Sequence, residues 1–532
     1  FEPIVAGNTV YLGFNDSDKL IALDLATGEE RWAYYCDGPV RLPPVVWQDR
    51  VLFISDDGHL YCLRAADGTL VWKRRGGPSD RKILGNSRLI STWPARGGPV
   101  VNEGVVYWAA SIWPFMGIFL YAHDIETGEL IWINDGESAR FRQQPHGGAI
   151  AFANVAPQGP FALSGDALLV AGGRSVPAVF ERSTGEFRYY RVADYNKTGG
   201  TFVAAIGDLF FNHYRERVTS VYNLENGDAV CPQIGKHPVL SPEMIYLSGP
   251  EVTALDMAAF RRDPATLEGA RAWSITVDAS GDLIKAGNRL YAGGEGRITA
   301  VDPPGPGGGP SVAWVKAVDG TIERLVAANG TLLAVTQDGR IMAFGREAKA
   351  PVVRPLAPSI TSPPEPALRQ AGAILAQTGI SEGYALVYGP GDGSLVEALA
   401  AKSNLHLVAV SPDAEDVERL RRKFDGLGLS GKRVAVLEGD PFTLELPPYW
   451  SSLTVVQDLD PKQCPRDNAL LSRLYHTARP YDGTIWLDKS AENEPLAAVC
   501  KASELPGLRF RGDGALIIAR EGPLPGSAWW TH

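Results

Sequence analysis

Short apolar runs alternate with tight turns along the first two thirds of the chain, and one pattern recurs among them. Residues 22–32 read ALDLATGEERW, and residues 122–132 repeat it as AHDIETGELIW, with Ala, Asp, Thr, Gly, Glu and Trp in the same register. Looser copies occupy residues 62–72 and 179–189. Apolar runs on both sides of a Thr-Gly or Asp-Gly turn are typical of two strands joined as a hairpin. Several copies in register predict an array of hairpins.

Two positions in each copy carry a structural requirement. The turn glycine can adopt the positive φ that a hairpin turn needs. The tryptophan four residues later is a large ring whose N–H needs a partner when it is buried. We therefore expect left-handed turn glycines and tryptophans buried between neighbouring units. The positions concerned are Gly28, Gly68, Gly128 and Gly185, and Trp32, Trp72 and Trp132.

The array continues, with weaker copies, to about residue 349. The first strands of the copies begin at residues 22, 62, 122, 179, 221, 254, 300 and 343. Steps near ~40–50 residues, with room for four short strands, are typical of propeller blades. A helical solenoid would need a sustained 3.6-residue period, and the segment has none. The pattern predicts an all-β propeller of eight four-stranded blades over residues 1–349.

The AxDxxTGxxxW pattern of these copies resembles the blade signature of the pyrroloquinoline-quinone-like propellers. That superfamily holds the quinoprotein alcohol dehydrogenases and the propeller lipoprotein of the outer-membrane assembly machine. The resemblance implies eight blades, with each tryptophan docking against a neighbouring blade. It also implies a periplasmic or otherwise extracytoplasmic protein. The sequence opens at Phe1, so its start is either processed or trimmed, and a removed signal peptide would not be visible.

The chemistry of the quinoprotein enzymes does not accompany the blade pattern. Those enzymes grip their cofactor with a disulfide between adjacent cysteines, and they hold a calcium ion with Glu, Asn and Asp. In this sequence we cannot assign a Glu, an Asn and an Asp as calcium ligands, and there are no adjacent cysteines and no CxxC motif. The five cysteines are Cys36, Cys62, Cys231, Cys464 and Cys500. We therefore do not expect pyrroloquinoline quinone, and a quinone-dependent oxidoreductase is the third hypothesis for the function.

Polar side chains in the glycine-rich loops between blades are the candidate ligand-binding residues of the propeller. Trp93 and Arg96 lie in STWPARGG, His146 lies in QQPHGG and Arg174 lies in GGRS. Together they would line one mouth of the channel, where propellers bind ligands. The alternative is that they bond loop carbonyls and close the blades. His213, in FFNHYRER, is predicted to have no role in binding.

A second domain at residues 367–522 follows a proline-rich linker at residues 350–366. From there, short apolar strands alternate with helical periodicity, which predicts a doubly wound, Rossmann-like α/β sheet. The first strand runs through the glycine-rich turn of residues 389–393 into a helix. The free N–H groups of such a turn are suited to a nucleotide-type ligand.

This turn, together with the Gly-Asp pair at residues 439–440, resembles class I S-adenosylmethionine-dependent methyltransferases. The resemblance implies the cofactor-binding residues Gly389, Gly391, Asp392, Gly393, Ser411 and Asp440. The chain departs from the family at Val387 and Ser411, where the family usually has acids. A serine makes one neutral hydrogen bond where a carboxylate makes two charge-assisted ones. We therefore expect S-adenosylmethionine to bind weakly or not at all, and we assign no catalytic residue.

Composition narrows the choice of partners. The formal net charge of -10 argues against a nucleic-acid surface or an anionic membrane surface as the partner. No apolar run approaches the ~18 residues that cross a bilayer.

The tail at residues 523–532 turns aromatic at Trp529 and Trp530, and it resembles the entry strand of a quinoprotein propeller. We expect this tail to pack against, or to begin, a second propeller domain or chain.

The first hypothesis is therefore a non-catalytic scaffold that binds other proteins through a quinoprotein-like propeller and a degenerate methyltransferase-like domain. The second is a true methyltransferase whose propeller recruits the substrate. The departures at Val387 and Ser411 disfavour the second hypothesis.

Overall fold

A computed structural model gives the fold of the chain. It describes residues 2–137, 141–143, 148–152, 155–172, 175–192, 198–214, 218–235, 237–345, 352–354, 362–440, 443–457, 469–488, 505, 508–511 and 515–527. Up to Phe344 these residues form antiparallel sheets, and from Glu382 onward they form one mostly parallel sheet. This change of sheet type follows the predicted change of domain, whose exact limits stay a prediction.

Seven four-stranded antiparallel units follow one another, each with its strands in chain order, and they are arranged as a propeller. Unit 1 contains β1 (Ile4–Ala6), β2 (Thr9–Phe14), β3 (Lys19–Asp24) and β4 (Glu30–Tyr35). Unit 2 contains β5 (Val45–Trp47), β6 (Arg50–Ile54), β7 (His59–Arg64) and β8 (Leu70–Arg75). After the hairpin of β9 (Lys82–Gly85) and β10 (Arg88–Ser91), unit 3 contains β11 (Ala95–Asn102), β12 (Val105–Ala110), β13 (Phe119–Asp124) and β14 (Leu130–Asn134).

A second hairpin, β15 (Phe141–Gln143) with β16 (Ile150–Phe152), precedes unit 4. Unit 4 contains β17 (Ala162–Ser164), β18 (Ala167–Val170), β19 (Ser175–Glu181) and β20 (Phe187–Val192). Unit 5 contains β21 (Thr198–Ile206), β22 (Leu209–Tyr214), β23 (Val218–Asn223) and β24 (Ala229–Gly235). Unit 6 contains β25 (Val239–Leu240), β26 (Met244–Leu247), β27 (Val252–Asp256) and β28 (Arg271–Ile275), with the short helices α1 (Met257–Arg262) and α2 (Leu267–Ala270) before its last strand.

The eighth place in the array is taken by three strands. Unit 7 contains β29 (Asp282–Ala286), β30 (Arg289–Gly293), β31 (Glu295–Asp302) and the first part of the long strand β32 (Ser311–Ala328). The second part of β32 pairs with β33 (Thr331–Thr336), which pairs with β34 (Ile341–Phe344). We call these three strands unit 8. The prediction of eight four-stranded blades is therefore not confirmed, because four strands are complete in seven units of the described chain.

Apolar side chains form a separate cluster between each unit and the next. Strand residues that face alternate sides of a sheet supply these clusters, as the period of two requires. One cluster joins unit 8 to unit 1, where Leu333 and Val326 pack against Val10 and Leu12. Apolar side chains thus link each unit to the next, and unit 8 to unit 1.

The repeated tryptophans hold successive units together in one geometry. Trp72 is 7% exposed, and its Nε1–H donates to the Ile125 carbonyl of unit 3 at 2.9 Å. Trp32 donates to Ala65 of unit 2, and Trp132 donates to Arg182 of unit 4, each at 3.0 Å. The expectation that these tryptophans are buried between units is confirmed.

Each of these rings lies on the turn glycine of the next unit. The four turn glycines predicted to be left-handed have φ of 69°, 73°, 68° and 75° in the order Gly28, Gly68, Gly128 and Gly185. A Cβ atom on Gly185 would lie 2.5 Å from Cε3 of Trp132, closer than van der Waals contact permits. The glycine is therefore needed for its backbone conformation and also for the approach of the indole.

The second part of the chain forms a seven-stranded sheet of order β37-β36-β35-β38-β39-β41-β40. Its strands are β35 (Glu382–Tyr388), β36 (Asn404–Ser411), β37 (Val434–Glu438), β38 (Leu453–Val456), β39 (Gly483–Asp488), β40 (Leu508–Arg511) and β41 (Ala515–Arg520). Its helices are α3 (Glu365–Thr378), α4 (Ser394–Lys402), α5 (Ala414–Gly426) and α6 (Ala469–Thr477). Strands β35 to β39 are parallel, while β41 runs antiparallel to its neighbours. Apolar clusters cover both faces of this sheet.

Replacing Gly185 by Ala tests whether the indole contact matters beyond the backbone conformation. We expect Gly185→Ala to destabilise the chain by about 1–3 kcal/mol more than Gly165→Ala, because the new methyl group overpacks the Trp132 site. Gly165 is a matched control, since its φ of 54° is also positive but no atom lies within 4 Å of its Cβ position. Urea unfolding measures both variants, and equal losses of stability would contradict the docking geometry.

Candidate functional site

The predicted cofactor loop is a left-handed turn between β35 and α4. Gly389, Gly391 and Gly393 have φ of 66°, 54° and 80°, which side chains of L-residues rarely adopt. A Cβ atom on Gly393 would lie 2.6 Å from Cδ2 of Leu420, which belongs to α5. The loop therefore needs glycine partly for its turn and partly because α5 passes close to it.

The carboxylate of Asp392 is engaged within the loop. It accepts hydrogen bonds from the Ser394 backbone N–H at 2.9 Å and from the Ser394 hydroxyl at 2.8 Å. These bonds favour the charged form and lower the pKa of Asp392 below its ordinary value. Asp392 thus holds the turn that leads into α4, whose N-cap is Gly393.

Two cations of α5 hold the loop carbonyls. The Arg419 guanidinium donates to the Gly391 carbonyl at 3.0 Å, and Lys423 Nζ donates to the Asp392 carbonyl at 3.2 Å. Lys423 also lies 3.0 Å from the carboxylate of Glu397, which is 6% exposed. These contacts were not predicted, because nothing in the sequence links α5 to a turn about thirty residues earlier.

Ser411 and the Gly-Asp pair lie side by side, as the prediction required. Ser411 ends β36, and its carbonyl accepts the Gly439 N–H at 3.0 Å. Its hydroxyl oxygen accepts the Asp413 N–H at 3.3 Å, and the carbonyl of Asp440 accepts the N–H groups of Thr443 and Leu444. Asp413 caps α5 by accepting from Glu415 and Asp416, as predicted.

Val387 cannot serve as a polar ligand in this fold. Its side chain is fully buried among the apolar residues on one face of the sheet. The structure therefore brings the predicted loop, Ser411 and Asp440 to the same edge of the sheet. Cofactor binding by these residues stays a prediction.

The opposite side of α5 is docked on the propeller through buried polar groups. Arg421 forms an ion pair with Asp37 of the propeller, and the side chains are 11% and 21% exposed. Arg421 also donates to the carbonyls of Tyr35 and Val436. Burial works against the charged guanidinium, but the nearby charge of Asp37 raises the pKa of Arg421 above its ordinary value. Asp425 accepts from Lys19 at 2.6 Å and from the Tyr35 hydroxyl at 2.8 Å.

The hairpin β9–β10 makes a second contact between the two parts of the chain. Its Lys82 N–H donates to the Glu445 carbonyl at 3.3 Å, and Leu89 packs in the apolar cluster that includes Leu444 and Leu446. Arg88 of the same hairpin forms an ion pair with Asp18 of unit 1. The segment that follows Asp440 is therefore packed against an insertion in the propeller.

The two described candidates for the propeller mouth join neighbouring loops. Arg96 makes a bidentate ion pair at 2.7 Å with Asp56, whose side chain is fully buried. Trp93 is 8% exposed and donates through Nε1 to the Met116 carbonyl at 2.8 Å. The Trp93 contact is a bond to a loop carbonyl, as the alternative expected, whereas Arg96 binds a carboxylate, and ligand binding by either residue stays a prediction. His146 and Arg174 lie outside the described residues.

A cavity of about 410 Å³ opens among the loops of units 5 to 8. His213 and His237 line it together with Asp282, Glu323 and Arg324. The His237 ring stacks on Phe202 with centroids 4.3 Å apart, and burial raises the pKa of Asp282. His213 was predicted to have no role, yet it lies in this polar cavity. Sequence reasoning missed the group because its members are spread over four units.

Neither a metal cluster nor a membrane span is found in the described part of the chain. There, no three His, Cys, Asp or Glu side chains converge as metal ligands would. No helix among those residues is long and apolar enough to cross a bilayer.

Comparison with known proteins supports the propeller prediction for the first part of the chain. Residues 2–132 match the family described as outer membrane protein assembly factor BamB. A stretch of 142 residues, 24% of this chain, is 31% identical to "Alcohol dehydrogenase (quinone), dehydrogenase subunit" from Gluconobacter oxydans (strain 621H). The stretch covers 18% of that protein, so the chain spans about a fifth of the length of the curated relative it matches.

Solved structures resemble each part of the chain only distantly. Quinohemoprotein alcohol dehydrogenase from Comamonas testosteroni has a TM-score of 0.44 at 14% identity, covering 70% of this chain and 78% of that one. A putative S-adenosyl-L-methionine-dependent methyltransferase from Methanococcus maripaludis has a TM-score of 0.26 at 17% identity, covering 30% of this chain and 85% of that one. We draw no functional argument from likeness at these scores.

Replacing Arg421 by Met tests the polar contact between α5 and the propeller. We expect the free energy of unfolding to fall by about 1–3 kcal/mol, because the partly buried Asp37 and the carbonyls of Tyr35 and Val436 would lose a charged donor. The control is Arg369→Met, which breaks an exposed pair with Glu365 and should cost less than about 1 kcal/mol. Denaturant unfolding compares the two variants. A loss for Arg421→Met no larger than for the control would show that the contact contributes no stability.

Proposed function

We propose that the chain is a non-catalytic interaction protein in which a quinoprotein-like propeller carries a degenerate methyltransferase-like domain as a fixed second surface. The observation that supports this proposal is that α5 contacts both the propeller and the glycine-rich loop. One side of the helix, through Arg421 and Asp425, binds unit 1 of the propeller. The other side, through Arg419 and Lys423, binds the glycine-rich loop.

This arrangement favours a scaffold over a mobile catalytic domain. Burying charged groups is costly and is tolerated when their geometry is fully paired. In each of the pairs Arg421–Asp37 and Lys19–Asp425, one charge lies on α5 and the opposite charge lies on unit 1. The two pairs together favour one orientation of the α/β sheet on the propeller. A rigid pair of surfaces suits the recognition of other proteins, which are the proposed partners.

Two positions where class I methyltransferases usually carry acids are occupied by Val387 and Ser411 in this chain. The glycine-rich loop has the backbone form of a cofactor site. However, Val387 is an apolar core residue, and the Ser411 hydroxyl oxygen already accepts the Asp413 N–H. We propose that the domain retains a methyltransferase-like, Rossmann-type fold for packing and for presenting surface.

The ring of the propeller is proposed to have eight blades, with unit 8 as the eighth. Its three strands stand between unit 7 and unit 1, and its apolar side chains pack against both neighbours. The family match to an outer membrane protein assembly factor supports a periplasmic or extracytoplasmic location and partners that are proteins.

Two enzymatic functions are the alternatives. A methyltransferase is favoured by the three left-handed glycines of the loop and by the adjoining Ser411 and Asp440. A quinone-dependent oxidoreductase is favoured by the relative named as a quinone alcohol dehydrogenase subunit. The chain matches a small fraction of that relative, and the cysteine pair of such enzymes is absent from this sequence.

Calorimetry with S-adenosylmethionine on the full chain separates the scaffold from the methyltransferase. We expect a dissociation constant weaker than about 100 μM, since Ser411 stands where the methyltransferase family usually has a carboxylate. Ser411→Asp should tighten binding, because a carboxylate there would add charge-assisted hydrogen bonds. Ser472→Asp is the control, since it adds the same charge at an exposed position of α6.

A dissociation constant in the low micromolar range for the unaltered chain would overturn the ranking in favour of the methyltransferase. Equal tightening by Ser411→Asp and Ser472→Asp would show that Ser411 does not stand at the ribose position.

A further inference from the structure

The connection from β37 to β38 in the α/β sheet differs from an ordinary crossover. In the strand order β37-β36-β35-β38 these two strands are separated by two others, so residues 439–452 must cross back over the sheet. A crossover between parallel strands usually contains an α-helix, which covers one face of the sheet. The described residues of this connection form turns and irregular structure without a helix. One face of the sheet therefore lacks a helix that the topology would normally supply.

The two faces of the sheet are covered unequally as a result. Helices α3, α4 and α5 all contribute buried residues to the apolar cluster on one face. On the other face, α6 is the one helix of the described chain that contributes to the cluster. Leu89 of the propeller hairpin β9–β10 is 5% exposed and belongs to this second cluster. It is buried there together with Tyr388, Val410 and Leu437, which come from β35, β36 and β37.

The hairpin β9–β10 extends along β37. Near its turn, a guanidinium nitrogen of Arg88 lies 3.0 Å from the position that a Cβ atom on Gly431 would take, and Gly431 precedes β37. At its base, the Lys82 N–H donates to the carbonyl of Glu445, which follows β37. The two contacts bracket β37, so the hairpin lies alongside the strand whose crossover lacks a helix.

The propeller holds both ends of this hairpin. At the base, the Ser91 N–H donates to the carbonyl of Asp56 at 2.8 Å, in the turn between β6 and β7 of unit 2. Near the hairpin turn, Arg88 forms an ion pair with Asp18 and donates to the carbonyl of Asn15 at 3.0 Å, both in unit 1. The hairpin is therefore fixed to two units of the propeller while its Leu89 lies in the core of the α/β sheet.

We infer that β9–β10 is a strap that takes the place of the missing crossover helix, so that the α/β sheet keeps its second face closed only while the propeller holds the strap against it. The burial of Leu89 removes from water apolar surface that a helix would otherwise cover. The α/β part is then not an independent folding unit, because a segment between units 2 and 3 supplies part of its core. The inference concerns how the two parts fold together, and it applies to a scaffold and to an enzyme alike.

Hydrogen exchange of the full chain, followed by mass spectrometry, tests the strap. Leu89→Ser is compared with Leu84→Ser, a matched control because Leu84 lies directly opposite Leu89 in the hairpin and is 41% exposed. We expect Leu89→Ser to speed amide exchange in β36 and β37 about tenfold or more, because the sheet would lose apolar cover on that face. Leu84→Ser should change these rates by less than about twofold.

Equal acceleration of β36 and β37 by the two variants would overturn the strap, since the buried leucine would then matter no more than the exposed one. Strand β22 of unit 5 is the internal reference. Acceleration of β22 by Leu89→Ser as large as that of β36 and β37 would also overturn it, because a general loss of stability would explain the result.

A second variant strengthens the hairpin and keeps the inference testable if Leu89→Ser does not fold. Asn86 and Ser87 have φ of 51° and 62°, as in a two-residue type I′ turn, for which Asn-Gly is preferred. Ser87→Gly should therefore slow amide exchange in β36 and β37 about two- to fivefold and leave β22 unchanged. Unchanged or faster exchange in β36 and β37 would contradict the inference.

Discussion

The contact between an aromatic ring and the turn glycine of the next unit is the constraint on which the first part of the structure depends. It combines a close approach that a side chain on the glycine would prevent with a hydrogen bond from the ring to a turn carbonyl. Because units 1 to 4 each give a ring to the next unit, the contact fixes the order and the rotation of these neighbouring sheets. Apolar clusters between units then bury further side chains at these boundaries.

Helix α5 connects the propeller to the α/β sheet. Its Arg421 and Asp425 face the propeller, while its Arg419 and Lys423 hold the loop between β35 and α4. A displacement of the helix would therefore disturb both contacts at once. The glycine-rich turn is thus held by contacts within the protein itself.

The sequence predicted what depends on local pattern and missed what depends on distant partners. The left-handed turn glycines and the buried tryptophans follow from an eleven-residue repeat, and the structure confirms them. The helix cap of Asp413 was equally local. In contrast, Asp37 and Arg421 meet across 384 positions, and no periodicity marks either residue. Of the four strands predicted for each blade, unit 8 has three among the described residues.

The central claim is that ring-on-glycine docking holds successive units together. The most direct measurement is the free energy of unfolding of the full chain with Trp132 replaced by Ala, determined with urea. The account predicts a loss of roughly 3–5 kcal/mol, as for other buried large-to-small replacements. A loss below about 1 kcal/mol, the size usual for a surface substitution, would contradict it.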